Sequence, residues 1–216
     1  MRHATDPDHV VAVTTIVSRE RGVRGAALLG SVWGVGHTAT LLLVGGAMVF
    51  FRLVVPPRLG LAMEFAVALM LIALGLLNVT GAIERIDAAA HDKPAAEAAP
   101  PSGLHLGRLL RSLFVGVVHG LAGSAAIALL VLTTIRDARW AVLYLLVFGI
   151  GTIAGMMLIT TALVVPLQAA ARQGTAWPRR IARITGAVSL AFGLFLAWRI
   201  GVADGLFSAH PTWRPE

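Results

Sequence analysis

Near the start of the chain, Arg2-His3-Ala4-Thr5-Asp6-Pro7-Asp8-His9 places two imidazoles and two carboxylates within seven positions. Imidazole nitrogens and carboxylate oxygens are ligands for borderline divalent metals. Two more histidines, His37 and His119, lie inside long apolar runs. A charge at the centre of a membrane helix costs on the order of 2.5–3.5 kcal/mol on insertion scales. Several such groups together call for an explanation, and a metal ion that bonds them would offset their burial. The candidate metal ligands are therefore His3, Asp8, His9, His37 and His119, with Asp6 either a ligand or only a helix N-cap. Taken singly, His37 and His119 equally suit a hydrogen bond to a neighbouring helix. Asp8 alone would equally suit a partner that orients a histidine. The quartet near the N-terminus is more specific than any of its members.

The elements that must position these groups follow from composition. In 216 residues, 57% are hydrophobic and 13% charged, and mean hydropathy is +0.80. A soluble domain carries roughly 25% charged residues, so a free-standing soluble enzyme or nucleic-acid-binding domain is excluded. The absence of cysteine removes disulfides, thiolate metal sites and thiol catalysis. Stretches long enough to cross a bilayer run over 26–51, 59–83, 112–135, 140–171 and 181–203. A shorter apolar segment covers 6–18. Proline at the first helical position, with Asp6 before it as N-cap, predicts a helix from Pro7 that carries Asp8 and His9 on its first turn. Glu64 sits near a span end and reads as an interfacial carboxylate, and Asn78 as an interhelical hydrogen bonder. The prediction is an all-α polytopic membrane bundle of about six spans. Loops one, three and five hold 11 of the 18 basic residues against 7 on the other side. The bias of Lys and Arg towards the cytoplasm predicts those loops inside, in the cell membrane.

The two halves resemble each other. His3 matches His119, Trp33-Gly34-Val35-Gly36-His37 matches Phe148-Gly149-Ile150-Gly151-Thr152, and Gly75 matches Gly193, at offsets of 116, 115 and 118. This predicts a first three-helix repeat over 1–83, an Ala/Pro-rich linker over 84–107, a second repeat over 108–203 and a tail over 204–216. Three spans per unit put the second unit upside down relative to the first, with the site at the interface near midplane. Gly34, Gly36, Gly120, Gly149 and Gly151 are expected to let helix backbones approach, and Pro7 to mark a helix break. Equivalence of the halves also predicts roughly ten apolar residues ahead of Met1.

These residues carry a family resemblance. The stretch from Arg2 to His9 resembles the His-x4-Asp-His signature of the nickel/cobalt transporter family. Trp33-Gly34-Val35-Gly36-His37-Thr38 is similar to that family's second motif, an aromatic residue followed by Gly-His-Ser/Thr. His119-Gly120-Leu121-Ala122-Gly123-Ser124-Ala125 is similar to a motif of the shorter UreH-like membrane proteins of urease accessory type. The resemblance implies a permease for Ni²⁺ or Co²⁺ that feeds urease, hydrogenase or cobalamin synthesis. It maps His3, Asp8 and His9 onto the signature ligands and His37 onto the second motif's histidine. The chain departs from the larger transporters in lacking further acidic motifs in later spans. Its second half has Ser124, Ala125 and Thr152 where the first has Asp8, His9 and His37.

The leading expectation is a membrane permease for Ni²⁺ or Co²⁺, most simply in the uptake direction, with no prosthetic group and no catalytic residues. The expected partners are the divalent ion and the lipid bilayer. A cytoplasmic metallochaperone or a second copy of the chain remains open, and nucleic acid is not expected. Two alternatives stand beside it. An intramembrane metal-dependent hydrolase would need Glu64 to reach the cluster as general base. A non-transporting accessory subunit would bind maturation proteins through loop three.

Overall fold

The computed structural model describes residues 6–18, 20, 22–51, 55–83, 85, 106–121, 135, 137–171, 177–209 and 211–213. His3, most of the linker and the second half of the fourth span lie outside them. Among the described residues there are six α-helices and no strand: α1 (Pro7–Val17), α2 (Val23–Phe51), α3 (Pro57–Val79), α4 (Leu106–Gly120), α5 (Ala138–Ala171) and α6 (Trp177–Trp198). A π-helical turn, Arg199–Ala203, continues α6. Among the described residues, four stretches are long and apolar enough to cross a membrane: Val23–Met48, Pro57–Val79, Arg139–Ala169 and Arg179–Ala203. Side chains such as Leu43, Phe50, Val147 and Ile150 are mostly exposed along them, as lipid-facing positions must be. The chain is a helical membrane protein.

Local chemistry sets the helix ends. Pro7 and Pro57 open α1 and α3, where a missing amide hydrogen costs nothing. Gly81, at φ 70°, takes the left-handed conformation that stops α3. Asp6 does occupy the N-cap of α1, but its side chain makes no capping hydrogen bond. Arg199, at the far end of α6, lies 3.8 Å from Asp204.

Packing runs chiefly between the halves. Helix α2 lies along α5 and α4, and α3 lies along α6; among the described residues, contacts within either half are sparse by comparison. Going up α2, Gly30, Gly34 and Thr38 meet Met156, Ile153 and Gly149 in turn, so α2 and α5 are antiparallel. Going up α3, Leu71 and Gly75 meet Ser189 and Gly186, which makes α3 and α6 antiparallel as well. Equivalent helices that run antiparallel are what an inverted relation between the halves requires. Helices α2 and α4 run parallel, Leu29 meeting Ser112 and His37 meeting Gly120.

Small residues and hydroxyls make these contacts. A Cβ added at Gly34 would fall 2.6 Å from Ile153 Cα, and one at Gly75 2.6 Å from Leu190 N. Gly149 lies against the Thr38 side chain in the same way. Hydroxyls then donate to backbone carbonyls across the halves: Thr38 to Gly149 at 3.2 Å, Thr40 to Val117 at 3.2 Å, Ser112 to Leu29 at 2.7 Å and Ser189 to Leu71 at 2.9 Å. In a bilayer, close backbone packing and such bonds replace the hydrophobic effect as the force that holds helices together. Among the described residues, a Cβ at Gly151 would meet nothing within 4 Å. Its counterpart Gly36 packs on α4, whereas the matching face of α5 near Gly151 has no such neighbour among the described residues.

Candidate metal centre

The buried face of α1 carries His9, Ala12, Val13, Thr15 and Val17, so the first turn delivers His9 into the bundle while Asp8 stays at its edge. Helix α4 brings His119 to the same place. That requires α4 to lie close on α2, and glycines allow it. A Cβ at Gly36 would come 2.5 Å from Leu113 O, and one at Gly120 2.6 Å from His37 O. Gly116 rests directly on the backbone and indole of Trp33. His9, His37 and His119 are each fully buried.

Asp8 links two of the imidazoles. Its Oδ1 accepts the backbone N–H of His9 at 2.9 Å and lies 3.1 Å from His9 Nδ1. Its Oδ2 lies 3.7 Å from His119 Nε2. The hydrogens follow from what each partner can accept. A carbonyl only accepts, so His119 Nδ1, 3.3 Å from Val115 O, carries a hydrogen and donates it. The neutral ring then has its lone pair on Nε2, and that atom has no hydrogen-bond partner among the described residues. With the ring neutral, His119 Nε2 and the Asp8 carboxylate face each other as two acceptors. By the same logic His9 donates from Nδ1 to the Asp8 carboxylate. A carboxylate that holds one nitrogen of a histidine while the other faces a metal is the usual supporting arrangement of such sites.

Asp8, His9 and His119 each offer a ligand atom, and these atoms lie within 4.8 Å of one another. Ligands held at about 2.1 Å from one ion can be about 4.2 Å apart at most, so an ion would need to draw them together only slightly. His37 adjoins this trio, its ring centroid 5.7 Å from that of His9. His3 lies outside the described residues. Asp6 sits at the helix start beside the trio and is not one of it. Glu64 is on another site altogether: its Oε1 accepts from Trp213 Nε1 at 2.9 Å, where the tail packs on α3. Asn78 bonds between helices as expected, its Nδ2 donating to Thr15 O at 3.0 Å.

The residue that the ligand pattern did not single out is Trp33. Its indole stacks on His9 at 6.0 Å and 7°, and meets His119 edge-on at 5.2 Å and 64°. It is 1% exposed and limits the planes in which both imidazoles can lie. The available signal was the aromatic position of the Trp33-to-Thr38 motif, four residues before His37 and so on the same helix face.

No family model matches the chain, and no solved structure matches it. The chain is 35% identical over 208 residues to the urease accessory protein UreH of Bacillus sp. (strain TB-90), covering 96% of this chain and 90% of that one.

Proposed function

Because this chain belongs to the UreH family of urease accessory membrane proteins, we propose that it is a permease that carries a divalent transition-metal ion, Ni²⁺ or Co²⁺, across the cell membrane. One observation carries the reading: buried His119 Nε2 lies 3.7 Å from the Asp8 carboxylate and has no hydrogen-bond partner among the described residues. With the ring neutral these two atoms are both acceptors, and a cation between them would bond both. His9 supplies a further nitrogen, and the His37 ring adjoins it. Asp8 and His9 come from the first half and His119 from the second, so a change in the tilt between halves separates the ligands and releases the ion. Uptake is the direction proposed, with loops one, three and five in the cytoplasm. The ion then reaches the metalloenzyme that such accessory proteins serve.

A subunit that only binds maturation factors also fits the accessory title of the relative. The complete burial of the three histidines inside the bundle favours transport, because a soluble partner has no access to them. The hydrolase alternative loses its general base, since Glu64 is engaged by Trp213. The test is accumulation of radiolabelled nickel and cobalt by cells that produce the protein. The wild type accumulates one or both, and His119→Ala and Asp8→Asn do not. Wild-type accumulation no greater than that of cells without the protein would refute the reading.

A further inference from the structure

The two ends of the bundle carry different charge. The α1–α2 turn, the end of α3 and the starts of α4 and α6 lie together, since Asn78 bonds Thr15 and adjoins Gly186, while Leu29 meets Ser112. Arg24, Arg108, Arg111, Arg179 and Arg180 belong to this end, and Glu20 is its one carboxylate among the described residues. The other described carboxylates, from Asp6 to Asp204, lie towards the opposite ends of the helices. At the basic end is a cavity whose wall holds Thr15, Asn78, Arg108 and Arg111 among apolar side chains such as Ile16 and Leu74. Two guanidiniums in such a place favour an anion. Arg108 Nη2 lies 2.8 Å from Glu20 Oε2. A guanidinium has five N–H donors, so that pair leaves others of Arg108 for a further acceptor. Two guanidiniums and one carboxylate sum to a single positive charge. Asn78 adds a second demand. It is 1% exposed, its Nδ2 donates to Thr15 O at 3.0 Å, and its Oδ1 has no hydrogen-bond partner among the described residues. A buried amide oxygen without a donor is costly, so an occupant that also carries a donor is favoured. Along the outside of α4, Leu106, Leu110 and Phe114 form an exposed apolar stripe at four-residue spacing. Arg111 stands between that stripe and the buried face of Ser112, Val115 and His119.

We propose that this cavity is a headgroup site for an anionic phospholipid of the phosphatidylglycerol kind. The phosphate lies on Arg108 and Arg111, a headgroup hydroxyl donates to Asn78 Oδ1, and an acyl chain follows the stripe on α4. Basic pockets between membrane helices take anionic headgroups in this way. The donor that Asn78 needs selects among headgroups. Choline has no N–H or O–H to give. Ethanolamine has one, but its ammonium is repelled by the two guanidiniums. A glycerol hydroxyl donates without a charge. The single negative charge of the phosphodiester balances the single positive charge of Arg108, Arg111 and Glu20. A free phosphate ion shares the contact with the guanidiniums but brings no chain for the stripe. The bound headgroup touches α4 of the second half and α1 and α3 of the first, so the lipid ties the halves together at this end. A ligand that binds only the folded bundle stabilises it. This inference is independent of the permease reading.

The test is thermal unfolding of the purified full chain in detergent, read by circular dichroism. Phosphatidylglycerol, phosphatidylmethanol, phosphatidylcholine and inorganic phosphate are added at equal concentration; phosphatidylmethanol has the same charge and chains without a headgroup hydroxyl. Phosphatidylglycerol should raise the midpoint by about 5 °C, phosphatidylmethanol by about half as much, and the other two by nothing measurable. Arg111→Gln should lose most of the rise. Arg180→Gln, at an exposed position on the first turn of α6, should keep it. An equal rise with phosphatidylcholine would overturn the site, and an equal rise with inorganic phosphate would overturn it in favour of a free anion. No loss in Arg111→Gln would overturn it too, as would an equal loss in Arg180→Gln, which would mark diffuse surface charge. An equal rise with phosphatidylmethanol would overturn the role given to Asn78. Should Arg111→Gln fail to fold, the contrasts among the additions to the wild type decide alone.

Discussion

Helices α1 and α4 each carry ligands from one half, yet they supply different chemistry. Helix α1 brings a carboxylate and an imidazole, Asp8 and His9, on one turn. Helix α4 brings a single imidazole, His119, near its last turn. Where α1 has Asp8 and His9, the second half has Ser124 and Ala125 at the matching offset. Neither helix therefore holds a site alone. Asp8 already neutralises one hydrogen-bond donor, His9 Nδ1, and turns its other oxygen towards the partner helix. The difference teaches that the site is a property of the contact between halves, and that its charge lies on one side of it. An ion bound there is held more firmly by the first half, so separation of the halves should leave it with Asp8 and His9.

Three changes sharpen that contrast. The largest effect is expected from the bridging groups: Asp8→Ala and His119→Ala should each weaken Ni²⁺ binding by about 100-fold or more, read by titration calorimetry on purified protein. The metal is bound mainly by α1 if Asp8→Ala is the worse of the two. Equal losses would make the site more symmetric than its chemistry suggests. Next come the paired glycines. Gly36→Ala drives a methyl group against Leu113 O and should destabilise the bundle by about 1–3 kcal/mol, whereas Gly151→Ala should stay within about 0.5 kcal/mol. Thermal unfolding in detergent measures both, and a similar loss at Gly151 would mean that its face of α5 is covered. The smallest effect belongs to Trp33. Trp33→Phe keeps a ring on His9 and should weaken binding only about 3-fold. It should also abolish most of any tryptophan quenching by Ni²⁺, which fluorescence reads directly.

Much of this arrangement was legible in the residues. The expected spans over 59–83 and 140–171 begin within about two residues of α3 and α5, because unbroken apolar length and Pro57 leave little choice. The start of α1 followed from Pro7, and the meeting of Asp8, His9 and His119 followed from the cost of such groups in lipid. The partnership of helices was not legible. Lipid and neighbouring helices are equally apolar, so the sequence of α2 or α5 does not mark which face meets protein. That is why Gly151 read like Gly36, although among the described residues only Gly36 has a close neighbour. It is also why Trp33 looked like part of a motif and not like the wall behind two imidazoles.

The dominance of contacts between halves over contacts within them reaches beyond the site. Helices α2 and α3 have their main partners in α5, α4 and α6, so the first half enters the membrane before anything exists for it to hold. Until the rest of the chain is made it would lack most of the packing partners it has among the described residues. The molecule thus behaves as a fused dimer, in which the covalent link serves to keep two mutually dependent fragments at high local concentration. Cutting the chain within residues 84–107 and supplying the two fragments together should rebuild it, while either fragment alone should be cleared by membrane proteases.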